Sequence, residues 1–152
     1  MIVGIGVDVI EIQRISDIIQ QHGQRFTERV FTPYEQANAP ATTNSALFYY
    51  AGRWSAKEAV AKALGTGLGQ KCGWKDIEVS NCLSGRPVVT ISGRGGETAA
   101  QLGVTRIHVT ISHEKGLACA SAVIEGDENL RDGDGSGNGE HETANVTQHI
   151  EN

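Results

Sequence analysis

The run Arg53-Trp54-Ser55-Ala56-Lys57-Glu58-Ala59-Val60-Ala61-Lys62-Ala63-Leu64-Gly65 decides how the rest of the chain is read. It consists mostly of good helix formers, and Gly65 with Gly67 supplies a glycine stop just past the last periodic position. At helical spacing Trp54, Glu58 and Lys62 share one face, while Ala56, Ala59, Val60, Ala63 and Leu64 make a small apolar side. Two local readings of the polar residues compete. Glu58 and Lys62 form an i,i+4 pair worth roughly 0.2–0.5 kcal/mol, or Ser55-x-x-Glu58 is a capping box. The capping reading weakens upstream, because Asn44 to Ala51 also has helical composition and runs into Arg53, which puts Ser55 in mid-helix. Gly52 costs such a helix about 1 kcal/mol against alanine.

Toward the N-terminus, Thr32-Pro33-Tyr34-Glu35 predicts a short helix, with Thr32 as N-cap, Pro33 at the first position and Glu35 completing a capping box. Asn38-Ala39-Pro40 separates it from the long helix. Residues 24–31 turn Phe26, Val30 and Phe31 inward and Arg25 and Arg29 outward. From Glu11 the pattern is helical, with Ile12, Ile15, Ile18 and Ile19 on one side, and His22-Gly23 ends it. Before that, Ile5, Val7 and Val9 alternate with Gly6, Asp8 and Ile10 at the period of a strand. Asp8 is anomalous in such a strand: a buried carboxylate needs a partner, a hydrogen bond or a metal, and the alternative is that it faces solvent. Gly4-x-Gly6 is no dinucleotide fingerprint, since neither a third glycine nor a helix start follows at the required spacing.

Toward the C-terminus, Ile77-Glu78-Val79 and Pro87 to Ile91 read as strands joined through Ser84-Gly85-Arg86-Pro87, a tight loop in which glycine and proline preset the backbone. A short helix around Glu97 to Leu102 lies between Gly95 and Gly103. Ile107, Val109 and Ile111 alternate with His108, Thr110 and Ser112, and Ala118 to Ile124 returns after the Glu114-Lys115-Gly116 turn as a hairpin. His113 stands at the strand end beside that turn. Helices between antiparallel strands describe an α+β fold, an antiparallel sheet packed on a long central helix and shorter helices.

The 152 residues carry a formal charge of −5, but it is unevenly placed. Residues 126–152 hold seven acidic side chains against Arg131 alone, so residues 1–125 are near neutral, with 12 basic and 11 acidic. The domain is therefore placed at 1–125, and the glycine-rich acidic composition of 126–152 predicts a disordered tail. A near-neutral body argues against nucleic acid as a partner. No apolar run reaches the eighteen or so residues that span a bilayer, so no membrane association is expected and the chain reads as cytoplasmic. Cys72, Cys82 and Cys119 are odd in number and widely spaced, which favours buried thiols in a reducing compartment over disulfides or a zinc site.

Asp8 and Glu58 are two hard oxygen ligands on different elements, too few for calcium but suited to Mg²⁺, which completes its octahedron with water and substrate phosphates. With Lys62, Arg53 and His113 available to phosphate oxygens, the inventory is that of phosphoryl transfer.

Gly4-Ile5-Gly6-Val7-Asp8, the Arg53–Lys62 helix with Gly65-Thr66-Gly67, the Gly85-Arg86-Pro87 loop and Ile111-Ser112-His113 together resemble the bacterial holo-acyl-carrier-protein synthases, the small class of 4′-phosphopantetheinyl transferases. The resemblance spans about residues 1–125. It implies transfer of phosphopantetheine from coenzyme A to a serine of apo acyl carrier protein, with release of adenosine 3′,5′-bisphosphate. Asp8 and Glu58 are then implied as Mg²⁺ ligands, Glu58 also as candidate base, and Lys62 as the group that neutralises developing phosphate charge. Arg53 and His113 are implied to hold coenzyme A phosphates, and Gly85, Arg86 and Pro87 to pack on the adenosine. Arg14 and Arg25 match a basic face for the acidic carrier protein, although Gln20, Gln21 and His22 depart from a region often richer in Lys and Arg. The resemblance further implies a homotrimer with sites at subunit boundaries. Competing readings are a Mg²⁺-dependent hydrolase of a nucleotide pyrophosphate and a non-catalytic coenzyme A or carrier-protein binding module.

Overall fold

The computed structural model describes residues 1–127 together with Val146 and Thr147. Strand β1 (Ile2–Glu11) leads into helices α1 (Ile12–His22), α2 (Gln24–Val30), α3 (Pro33–Ala37) and the 21-residue α4 (Thr43–Ala63). A single 3₁₀ turn (Trp74–Asp76) precedes β2 (Ile77–Asn81) and β3 (Pro87–Ile91). Helix α5 (Gly93–Gln101) and the long hairpin β4 (Val104–Glu114) and β5 (Leu117–Gly126) follow, and β6 is the pair Val146–Thr147. This is the expected α+β architecture, resolved into two antiparallel three-stranded sheets rather than one, ordered β1-β5-β4 and β2-β3-β6. The expected tail lies mostly outside the described residues. Of the described residues beyond 125, Gly126 closes β5 and donates to the Met1 carbonyl at 2.8 Å, and β6 pairs with β3. No helix among the described residues is long and apolar enough to cross a membrane.

Helix α4 is continuous through Gly52, and Ser55 is buried in mid-helix, its hydroxyl 3.4 Å from the Ala118 carbonyl rather than at a cap. Glycine at 52 has a packing reason, since a Cβ there would stand 3.0 Å from a methyl of Ile111 on β4. The helix ends as its glycines require: Gly65 takes φ +74°, and the Thr66 and Gly67 amides both bond the Ala61 carbonyl.

Strand β1 lies directly on α4. A Cβ on Gly4 would sit 1.9 Å from the Ala63 carbonyl oxygen, and one on Gly6 1.9 Å from that of Ala59. Only glycine lets the two backbones approach so closely, which explains Gly4-x-Gly6 without any nucleotide. Alternation then carries Asp8, two residues on, to the same helix-facing side. The opposite face of β1 is left open, with Ile5, Val7 and Val9 69, 56 and 57% exposed.

One apolar core gathers Ala56, Ala59, Val60 and Ala63 of α4 with Ile77, Val89, Ile91, Ile107 and Ile124 of the sheets. A second, richer in rings, packs Ile12, Ile15, Phe26, Val30 and Phe31 with Trp54 and Trp74, whose ring centroids are 4.2 Å apart. Helix α5 begins two residues before Gly95, earlier than its glycines suggest. The Asp76 carboxylate accepts from the Gly95 amide at 3.0 Å and from the Gly73 amide at 2.8 Å, capping the helix from another segment. Of the three thiols, all free, only Cys72 is buried; Cys82 and Cys119 are partly exposed, which corrects the expectation for those two.

Candidate active site

The close seating of β1 on α4 creates the site. Lys62, on the last turn of α4, donates to Asp8 Oδ1 at 2.9 Å and to the Val7 carbonyl at 3.1 Å. The lysine is therefore paired across elements, not with Glu58 along its own helix. Asp8 Oδ2 is buried and has no hydrogen-bond partner among the described residues. A carboxylate oxygen taken out of water without a donor is costly, and it marks a place where a cation would be bound favourably.

Glu58 lies one turn before Lys62, half-buried. Burial holds its carboxyl above the ordinary carboxylate range, reinforced by the charge of Asp8 and opposed by Lys62 and Arg14. The charge of Asp8 thus reaches Glu58 across the strand–helix contact. Two carboxylates, one with an orphaned oxygen, fit a hard divalent cation that keeps most of its shell for water and phosphate. Among the described residues no three His, Cys, Asp or Glu side chains form a fuller metal cluster.

Arg14, exposed on α1, is near enough for its charge to oppose the rise in the Glu58 pKa, while Arg25 is exposed on α2.

Arg53 and the Gly85-Arg86-Pro87 loop gather elsewhere on the chain. Arg53 is five positions before Glu58, about 140° around the helix axis, and points toward β2. Its guanidinium carbon lies 3.6 Å from the Tyr49 ring centroid, and its Nη2 donates to Asn81 Oδ1 at 2.5 Å. Asn81 in turn donates to the Gly85 carbonyl at 2.7 Å, so Arg53 and the Gly85-Arg86-Pro87 loop form one group. Gly85 adopts φ +84°, and the Cys82 amide closes the loop on the Arg86 carbonyl at 2.9 Å. His113 is exposed near the end of β4, its ring edge-on to Phe48 with centroids 5.6 Å apart. A single chain therefore presents the carboxylates with Lys62 at one place, and Arg53 with the loop at another.

A buried ion pair beneath the site escaped the sequence reading. Lys57, fully buried, places Nζ 2.7 Å from Glu35 Oε2 and 2.9 Å from the carbonyls of Val30 and Trp74. Glu35, also fully buried, completes the Thr32 capping box and accepts from the Val79 amide at 2.8 Å. Burial pulls the Lys57 pKa below the ordinary lysine range while Glu35 works against that fall. A signal existed: at helical spacing Lys57 lies on a stripe with Val60, Ala61 and Leu64, all apolar.

A family model described as the 4′-phosphopantetheinyl transferase superfamily matches residues 4–121. The holo-[acyl-carrier-protein] synthase of Natranaerobius thermophilus is 43% identical over 127 residues, covering 84% of this chain and all of the relative. Among solved structures, the holo-[acyl-carrier-protein] synthase of Neisseria meningitidis superposes with a TM-score of 0.76 at 31% identity, covering 82% of this chain and 99% of its own. The Bacillus anthracis synthase, in complex with CoA (3′,5′-ADP), gives 0.70 at 36% identity over 84% of this chain and 99% of its own.

Proposed function

The chain belongs to the 4′-phosphopantetheinyl transferase superfamily, and we propose that it works as a Mg²⁺-dependent holo-acyl-carrier-protein synthase centred on Asp8, Glu58 and Lys62. The reaction is transfer of the 4′-phosphopantetheine group of coenzyme A to a serine of apo acyl carrier protein. The observation that carries the site assignment is the buried Asp8 Oδ2 without a hydrogen-bond partner among the described residues, on a side chain whose charge reaches the half-buried Glu58 carboxyl.

Asp8 and Glu58 would hold Mg²⁺, which when bound neutralises diphosphate charge and aligns the phosphorus for in-line attack. Glu58, with a pKa already raised by burial, is suited to accept the serine proton directly or through water, because a base of higher pKa takes a proton more readily. The serine oxygen bonds to the β-phosphorus, the bond from that phosphorus to the bridging oxygen breaks, and adenosine 3′,5′-bisphosphate departs. Lys62, half-exposed beside Asp8, offsets the negative charge that grows on the departing phosphate. Arg14 on α1 and Arg25 on α2, both exposed, offer positive charge to an acidic carrier.

The assembly is a homotrimer, with each site shared between subunits and the enzyme working in the cytoplasm. Two observations support the shared site: the open apolar row of Ile5, Val7 and Val9, and the placing within one protomer of Arg53 and the Gly85-Arg86-Pro87 loop in a group of their own, apart from Asp8 and Lys62. About 125 residues also enclose a ligand the size of coenzyme A poorly without a neighbour.

The test is to incubate the chain with coenzyme A, Mg²⁺ and apo acyl carrier protein and to weigh the carrier by mass spectrometry. A phosphopantetheine adduct is expected, absent with Asp8→Ala or Glu58→Ala although both variants stay folded. Arg14→Glu should raise KM for the carrier and not for coenzyme A. Cleavage of coenzyme A without modification of the carrier would make the chain a hydrolase, and binding with neither would make it a binding module.

A further inference from the structure

The residues that hold Arg53 form a continuous tether from the buried ion pair to the β2–β3 loop. The Tyr49 hydroxyl donates to the Glu35 carbonyl at 2.7 Å, and Glu35 is itself locked by Lys57 and by the amides of Thr32 and Val79. The Tyr49 ring, anchored in this way, is the surface on which the Arg53 guanidinium lies. Asn81 accepts from Arg53 through its oxygen and donates through its nitrogen to the Gly85 carbonyl. With Tyr34, Asn38 and Ser80 these side chains line a polar cavity of about 210 Å³.

We propose that Tyr49 and Asn81 are positioning residues for coenzyme A, Tyr49 seating the Arg53 guanidinium and Asn81 coupling it to the Gly85–Pro87 loop. This rests on the reading of Arg53 and that loop as coenzyme A contacts. An unrestrained arginine loses many rotamers when it grips a phosphate, and holding it beforehand removes that loss from the binding step. The choice of tether matters as well. Asn81 is a neutral amide, so the guanidinium keeps its full charge for an anion, whereas a carboxylate in its place would neutralise it. The bond from Nη2 to Asn81 also leaves other donors of the five-donor guanidinium uncommitted.

The experiment titrates coenzyme A into the full chain by calorimetry without carrier protein, and follows steady-state turnover with it. Tyr49→Phe and Asn81→Ala are each expected to raise Kd and KM for coenzyme A about five- to tenfold, the cost of ordering one rotamer-rich side chain on binding. Both should leave kcat and carrier KM near those of the parent and lower the thermal midpoint by only the few degrees that one lost intramolecular hydrogen bond costs. Because both act through Arg53, the double variant should lose about as much as the weaker-binding single one. Asn81→Asp should bind no better than Asn81→Ala. Unchanged coenzyme A affinity in both single variants, with Arg53→Gln weakened, overturns the positioning roles alone. Unchanged affinity in Arg53→Gln overturns the reading of the site as well. Multiplicative losses in the double variant overturn the shared route through Arg53.

Discussion

Lys57→Met removes the buried ammonium while keeping a side chain of similar length and volume, so its cost reports the electrostatics of the ion pair rather than a cavity. Lys57 Nζ satisfies Glu35 and two backbone carbonyls, all within 2.9 Å and out of solvent. Breaking a buried pair by removing one partner costs about 3–5 kcal/mol, because the remaining charge is stranded in a medium that cannot solvate it. With a urea slope of about 2 kcal/mol per molar for a domain of this size, the unfolding midpoint should fall by roughly 2 M. The assay is urea unfolding at fixed protein concentration, followed by the fluorescence of Trp54 and Trp74, which pack together beside the pair. Adding Glu35→Gln discharges the stranded carboxylate while retaining an acceptor for one of its two backbone amides, so the double variant should recover roughly 2 kcal/mol. A loss below about 1 kcal/mol in Lys57→Met, or a double variant no more stable than the single one, would refute the reasoning.

Gly6→Ala should unfold the chain or sharply reduce its yield, since the new methyl meets the Ala59 carbonyl oxygen at 1.9 Å and backbone cannot step aside; circular dichroism matching the parent would sink the close-approach account. Val7→Lys, on the open face of β1, should turn the proposed trimer into monomers by light scattering while far-ultraviolet circular dichroism is unchanged, and a persistent trimer would move the interface elsewhere. Hydrogen bonds from Ser84 and the loop lower the Cys82 thiol to about 7, whereas burial raises Cys72 to about 11. Iodoacetamide should therefore label Cys82 with a rate that climbs as pH rises through about 7, because the thiolate is the nucleophile. Cys72 should react only on unfolding, and equal labelling of the two in the native chain would contradict both shifts.

The order of elements was legible because its signals are local. The Thr32-Pro33-Tyr34-Glu35 start of α3 is a capping box in fact, and the alternation of Ile107, Val109 and Ile111 marks β4. Helix α5 was misjudged at its start because its cap, Asp76, is 19 residues from Gly95 and no local pattern connects them. The candidate carboxylates and Lys62 were legible through residue type and motif, while the pairing of Lys62 with Asp8 rather than Glu58 was not.

Periodicity, caps and charge pattern along the chain determined the α+β class, the long helix and the residues able to meet a phosphate. Only the folded chain decided which side of β1 turns inward. Alternation is symmetrical between the two faces of a strand, so it cannot choose between Ile5, Val7 and Val9 on one side and Gly4, Gly6 and Asp8 on the other. Contact with α4 breaks that symmetry, since two glycines allow backbone against backbone and carry Asp8 to Lys62 and Glu58. The same holds for Lys57 and Glu35, whose charges are stable in the interior only because three regions distant in sequence, 30–35, Lys57 and 74–79, converge there.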